Sequence, residues 1–311
     1  MSATDQRETL LIALGGNALI RPGQAGTCDE QFANLRGPME QIALLVDRYR
    51  IIITHGNGPQ VGNLLLQQES CPDVPPMPLE ILVAQTQGAI GYMIESTLEG
   101  ALKALGRPKR YLASLISYVV VSEDDPAFRT PSKPIGPFYS ESRAATLPWP
   151  TVRTPRGFRR VVASPEPVTV VEKDEIQRLV KEDFIVICCG GGGIPVIRER
   201  RGFHGIEAVI DKDLASACLA AETGVDHLVI ATDVPGVATG FGTSDERYLD
   251  TLTTTAAREL LASGEFPPGT MGPKVEAAIR FMGSGGKGAV ICHLDQIAAA
   301  VAGKAGTRII R

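Results

Sequence analysis

Short apolar runs alternate with amphipathic stretches along most of the chain. Leu10 to Leu14, Ile51 to Thr54, Phe184 to Cys189, His227 to Ala231 and Ala289 to Cys292 are continuous apolar runs without a polar alternate face. Runs of that kind predict strands buried on both faces of a parallel sheet. Tyr111 to Val121 reads as a β-branched strand, and Thr307 to Ile310 as a last one. Helical spacing fills the gaps. Asp29 to Tyr49 places Ile42, Leu45, Val46 and Tyr49 on one face, with Gly37-Pro38 bending or restarting the helix. Leu79 to Leu105 carries an apolar set of Leu82, Val83, Ile90, Met93, Ile94, Leu98 and Leu102. Lys173 to Lys181, Asp213 to Thr223, and Thr253 to Ser263 (capped by one of Thr253 to Thr255) follow. The last helices are one opened by Gly269 to Lys274, running to Met282, and a short one from Leu294. Strands alternating with helices make this an α/β chain.

The strands end in glycine. The first runs into Gly15-Gly16-Asn17-Ala18, the second into His55-Gly56-Asn57-Gly58-Pro59-Gln60, and the third into Gly190 to Gly193 followed by Ile194-Pro195. Such an end is either a simple tight turn or a set of free backbone N–H groups offered to an anion. Two of them after parallel strands fall on one sheet edge, where α/β proteins bind ligands. His55 reads as a structural donor. Four successive glycines suit backbone lying against a ligand or another loop. Gly88 and Gly91, inside the long helix, suit close packing, against either a second copy or the sheet of the same chain.

From residue 122 to 167 the alternation stops. A Pro-rich turn at Pro72 to Pro78 is brief, but here proline recurs at Pro126, Pro131, Pro134, Pro137, Pro148, Pro150, Pro155 and Pro165, among arginines. The stretch reads as an inserted lid subdomain. Within it Lys133 is pinned between Pro131 and Pro134, either as a solvated surface lysine or as a charge that closes over a substrate.

Charge concentrates at Asp211-Lys212-Asp213, where an apolar run meets a helix start. A lysine there can meet a phosphate, and an aspartate can orient a second lysine. Asp213 is equally a natural helix N-cap. Lys274 lies in the first turn of its helix, where the dipole disfavours a cation unless an anion holds it.

Composition adds exclusions. A chain of 311 residues with 44% hydrophobic and 21% charged residues has the make-up of a globular enzyme. A net charge of −4 without a basic cluster argues against nucleic acid or a membrane surface as partner. The six cysteines form no C-x-x-C pair and read as buried thiols of a reducing, cytoplasmic compartment. Met1 to Thr9 has neither a signal-peptide nor a transit-peptide pattern, and no apolar run would span a bilayer. Gly286-Lys287 lacks the Walker A context, no protein-kinase signature is present, and the glycine runs lack a dinucleotide fingerprint.

Taken together, the motifs resemble the carbamate kinases of the amino-acid-kinase superfamily almost end to end. The resemblance rests on Ala13 to Ala18, Thr54 to Asn63, Thr86-Gln87-Gly88 with Ile90-Gly91-Tyr92, Pro131 to Phe138, the glycine run ending in Ile194-Pro195, Val209 to Asp213, and Met271 to Lys274. It implies a three-layer αβα sandwich around a mainly parallel sheet, with a small lid at residues 122–167, working as a homodimer. It implies ATP or ADP with Mg²⁺, the metal held mainly by phosphates, and transfer between carbamoyl phosphate and carbamate, ATP-forming in arginine, agmatine or allantoin breakdown. Lys133, Lys212, Asp213 and Lys274 would be the catalytic set. Gly15, Gly16, Asn17, Gly56, Asn57, Gly58, Gly191 and Gly192 would line the acyl-phosphate pocket. Residues 226–311 would supply most of the nucleotide site, through Thr232, Asp233, Val234, Met271 and Lys274 together with Lys212. Pro235 departs from the pattern in the turn expected near the base. The competing readings are a sibling kinase acting on another small acid and a non-catalytic nucleotide-binding regulatory paralogue.

Overall fold

The computed structural model describes residues 7–311 other than Pro72, Pro155, Pro267 and Pro268. The expectations for residues 1–6, and the Pro72 and Pro155 members of the proline series, lie outside the described residues.

The strand Glu8–Leu14 sits in the interior of an eight-stranded sheet. On one side come Tyr49–His55, Phe184–Ile187 and Tyr111–Ser114; on the other come His227–Thr232, Gly288–His293, Thr307–Ile310 and Thr251–Thr253. Pairing is parallel throughout, except where Gly288–His293 meets Thr307–Ile310. The continuous apolar runs are explained by cover on both faces. Leu11 and Ala13, with Ile52 and Ile230, join one core with the helices Lys173–Lys181, Lys212–Thr223, Thr254–Ala262 and Gly272–Gly283. Leu10, Ile12 and Leu14, with Ile51, Ile53 and Val229, join the other with Cys28–Ala43, Leu79–Ala104 and Ile297–Val301. Strand side chains alternate between faces, so each layer of helices takes alternate residues of one run. The result is a three-layer αβα sandwich.

Three further sheets stand apart from the large one among the described residues, the smallest a pair of Ala238–Thr239 and Arg247–Tyr248. Gly202–Gly205, Ile194–Glu199, Tyr118–Val120 and Thr169–Val170 form one. Residues 122–167, the expected insertion, hold a three-stranded antiparallel sheet of Lys133–Tyr139, Gly157–Val162 and Thr151–Thr154. Its Ile135 and Val162 pack with Val61 and Leu65 of the helix Gly58–Ser70.

Four expectations are corrected. The first helix does not restart at Pro38. It runs from Cys28 to Ala43, because Pro38 is buried against the core and Gly37 leaves room for Asp295, which a Cβ would approach to 2.9 Å. It also stops short of Tyr49, which opens the second strand. Tyr111 to Val121 is two strands rather than one: Leu115 to Ser117 break it, and the halves enter different sheets. The six cysteines are all free, but Cys28 and Cys71 are exposed rather than buried.

The sheet core has a direct test. Ile12, fully buried, should cost about 2–5 kcal/mol when cut to alanine, lowering the urea midpoint with little change in slope. A loss below about 1 kcal/mol would contradict its place in the packed layer.

Candidate active site

Three parallel strands end side by side. Leu14 is in register with His55 on one flank and with Ala231 on the other. The turns that follow begin tightly against the sheet, at Gly15 and Gly56. The Gly15 N–H donates to the Ala231 carbonyl at 2.9 Å, and the Gly56 N–H to the Leu14 carbonyl at 3.0 Å. A Cβ on Gly56 would lie 3.2 Å from the Gly16 nitrogen. The amides of Gly15 and Gly56 are therefore taken up by the sheet. Those of Gly16 and Asn17, at the start of the short helix Gly16–Ala18, and of Gly58, at the start of Gly58–Ser70, occupy positions where helix N–H groups lack intrahelical partners.

The glycine run 190–193 meets the protein itself. A Cβ would fall 2.5 Å from the His55 ring at Gly190, 2.2 Å from the Asn57 amide at Gly191, and 2.4 Å from the Ile210 carbonyl at Gly192. Gly191, Gly192 and Gly193 also take positive φ. Of the two roles open to this run, packing against other loops is the one the contacts display. Gln87 ties it down, donating to the Gly190 carbonyl at 3.1 Å and accepting from the Ser117 N–H at 2.8 Å. Asn57 is fixed from the same helix, its amide donating to Thr86 Oγ1 at 2.9 Å. His55 is fully buried, and burial pushes its imidazole down to about 4, so it is neutral at pH 7. Its Nδ1 lies 3.1 Å from the Gly56 carbonyl, a contact in which the nitrogen must carry the proton.

The helix Lys212–Thr223 starts beside these turns. Its N-cap is Asp211, not Asp213: Asp211 Oδ1 accepts from the Asp213 N–H at 2.9 Å and the Leu214 N–H at 3.4 Å. Asp213 is thereby released for another task. It is 3% exposed and lies between two lysines, with Lys212 Nζ at 2.6 Å and Lys274 Nζ at 3.2 Å. Burial alone would raise its carboxyl, but the two ammonium groups outweigh it and hold the group at about 2. Burial pushes Lys212 down against the pull of Asp213. Burial also opposes the charge of Lys274, but Asp213 prevails and raises it. Asp213 can engage only part of the Lys212 ammonium, which has three donors, and no other acceptor is within hydrogen-bond reach of its buried Nζ among the described residues. A buried ammonium with donors to spare is suited to an anion. Ser216, fully buried, steadies this turn. Its hydroxyl donates to the Lys212 carbonyl at 2.7 Å and lies 2.7 Å from Thr54 Oγ1.

Lys133 does not join Asp213. It reaches in from the small sheet to Asp211 Oδ2 at 2.8 Å.

A cavity of about 430 Å³ opens next to the triad. Gly15, Gly16 and Asn17 line one side, Thr232 to Val234 another, and Met271 with Lys274 a third. Asn17 donates to Asp233 Oδ2 at 2.6 Å across it. Pro59 and Thr270, within the quoted motifs, also line it, as do Phe241 and Phe266, which nothing in the local sequence marks because separate loops bring them there. Pro235 is not among the lining residues, whereas its neighbours Val234 and Gly236 are. The polar lining comes chiefly from Asn17, Thr232, Asp233 and Lys274.

Asp213→Asn should cost about 3–5 kcal/mol at pH 7, since it leaves two buried cations without their counter-charge. The sign follows from the depressed carboxyl: its contribution is complete above the ordinary 3.8 and disappears as pH falls toward about 2. Unfolding in urea along a pH series should show wild type and variant converging only below about pH 4. A difference under about 1 kcal/mol at pH 7 would contradict the triad's electrostatic role.

Comparison with known proteins now places the chain. Residues 8–293 match the model of the amino acid kinase family. The carbamate kinase of Pyrococcus horikoshii is 46% identical over 311 residues, 97% of this chain and 99% of that one. The carbamate kinase of Thermococcus kodakarensis is 46% identical over 312 residues, with the same coverage. The structure of carbamate kinase from Giardia lamblia bound to AMP-PNP superimposes with a TM-score of 0.90 at 38% identity, covering 98% of this chain and 99% of that one. The chain belongs to the amino acid kinase family and, within it, to the carbamate kinases.

Proposed function

We propose that the protein transfers a phosphoryl group reversibly between carbamoyl phosphate and ADP, giving carbamate and ATP. The observation that carries this reading is the Lys212–Asp213–Lys274 triad, set between anion-suited glycine turns and the cavity. A β-phosphate oxygen of ADP attacks phosphorus, the bond from phosphorus to the carbamoyl oxygen breaks, and carbamate leaves with the electron pair. Both end groups are already anions, so no general base is required. Positioning and cancellation of charge are what such a transfer needs.

Lys212, whose buried ammonium has donors beyond the one Asp213 takes, meets the moving phosphoryl group. Lys274 lines the cavity and meets the nucleotide phosphates. Asp213 keeps both charged and spaced. The free amides at Gly16, Asn17 and Gly58 face the acyl-phosphate side, with Gly15, Gly56 and Asn57 holding that wall in shape. Gly191 and Gly192 contribute by buttressing Asn57 and Ile210. Residues 122–167 act as the lid that brings Lys133 over the acyl phosphate, and residues 226–311 supply most of the nucleotide site, through Thr232, Asp233, Val234 and Met271.

A magnesium ion fits this arrangement as a partner of the nucleotide. No group of three or more potential ligand side chains is present among the described residues, while Asp233 offers a single carboxylate at the cavity wall. Asp233 would hold the ion with help from phosphate oxygens and water. When bound, the ion would neutralise phosphate charge.

Carbamoyl phosphate is a mixed anhydride, so the ATP-forming direction is the downhill one, as in breakdown of arginine, agmatine or allantoin. The homodimer implied by the resemblance is supported by Ile81, Gly88 and Tyr92, which the long helix leaves exposed, whereas Gly91 packs within the chain on Ser114. The free thiols, three of them buried, suit a reducing cytoplasm. No helix among the described residues is long and apolar enough to cross a membrane.

In a coupled assay of ATP formation, Lys212→Ala should lower kcat by roughly 10²–10³, as loss of one buried charge stabilising a transition state does. Near-normal turnover in the variant would remove Lys212 from the chemistry. Wild-type activity with acetylglutamate and ATP, but none with carbamoyl phosphate, would move the function to a sibling kinase.

A further inference from the structure

Asp211 uses its two carboxylate oxygens for two different elements. Oδ1 caps the helix that begins with Lys212, while Oδ2 holds Lys133 Nζ at 2.8 Å. The Asp211 side chain is 14% exposed and that of Lys133 32%, so the contact is shielded but the ammonium still faces solvent. Lys133 opens the strand Lys133–Tyr139, whose other end is tied separately, with Tyr139 Oη donating to Glu69 Oε1 at 2.9 Å on the helix Gly58–Ser70. Between these ends Gly136 passes so close to Gly62 that a Cβ on Gly62 would sit 3.4 Å from it. The strand is thus tied by a side chain at each end and packed on the helix between them. The fastening at Asp211 is the one that fixes a charged group relative to Lys212.

We infer that Asp211 is a positioning residue for the reaction: it presents Lys133 to the acyl phosphate while setting the start of the Lys212 helix, so that one carboxylate fixes the spacing of the lid lysine and the buried lysine. This rests on the function proposed above. An ammonium has three donors. One is committed to Asp211, which leaves two for oxygens of carbamoyl phosphate. A lysine held in this way has lost part of its rotamer freedom before the substrate arrives. The carboxylate also fixes the direction from which the donors point.

The two tasks can be separated. Asparagine caps helices as well as aspartate does, because its side-chain oxygen accepts the same N–H bonds. Asp211→Asn therefore keeps the Lys212 helix and removes the charge that holds Lys133. The variant should retain the wild-type melting temperature within a few degrees. Its KM for carbamoyl phosphate should rise roughly tenfold, the size expected for one charge-assisted contact, with KM for ADP unchanged. In a Lys133→Met background the same substitution should add nothing, because its partner is already gone. An equal rise in both KM values would overturn the proposal, since Asp211 would then act through Lys212. So would effects of Asp211→Asn and Lys133→Met that multiply.

Hydrogen exchange of the unliganded protein provides a readout independent of turnover. Asp211→Asn and Lys133→Met should each speed exchange across residues 133–136 to the same degree, and together no further. If wild type makes no ATP from carbamoyl phosphate yet exchange is coupled in this way, the proposed function falls and the Asp211–Lys133 linkage stands. Exchange unchanged by either substitution would overturn the linkage itself.

Discussion

One buried carboxylate between two buried ammonium groups sets the terms for the rest of the site. Asp213 could not stay charged at 3% exposure without Lys212 and Lys274, and the lysines could not sit so near each other without Asp213. The three groups together leave a net positive charge, with a Lys212 Nζ that finds no acceptor besides Asp213 among the described residues. Such a site is electrostatically incomplete, and in the proposed reaction a phosphate would complete it. The cost of burying the three charges is offset by a large apolar sandwich, whose two cores on either face of the sheet bring the strand ends and helix starts to one edge.

Around that centre, many of the polar contacts serve to hold backbone in place. Gln87 clamps the glycine run, Thr86 holds Asn57, and Ser216 braces the Lys212 turn against Thr54. A phosphoryl-transfer site gains from this rigidity, because its catalysis depends on donors already aimed when the charge moves. The glycines of the site contribute in the same way. Gly56 and Gly190 to Gly192 stand where a side chain would strike a neighbouring loop, so they let the loops pack closely enough to form a wall.

Much of this was legible in the sequence. The strands announced themselves because burial on both faces forces a continuous apolar run, and Thr307–Ile310 and Lys173–Lys181 fall where the pattern put them. Lys212, Asp213 and Lys274 stood out because charges at helix starts are poorly explained by stability alone. What was hidden depends on packing in three dimensions. Pro38 reads as a helix breaker, yet tertiary burial carries the helix through it. Asp213 reads as the natural cap in one dimension, and only the folded helix start assigns the cap to Asp211 and the ion pairs to Asp213. Phe241 and Phe266 reach the cavity from separate loops, with no local pattern to mark them.

The central claim is that this charge centre moves a phosphoryl group from carbamoyl phosphate to ADP. The most direct measurement is ³¹P NMR of the wild-type protein with both compounds and Mg²⁺ in one tube. The account predicts that the carbamoyl phosphate signal falls while the γ-phosphate signal of ATP rises by the same amount. Loss of carbamoyl phosphate into inorganic phosphate at the uncatalysed rate, with no ATP formed, would contradict it.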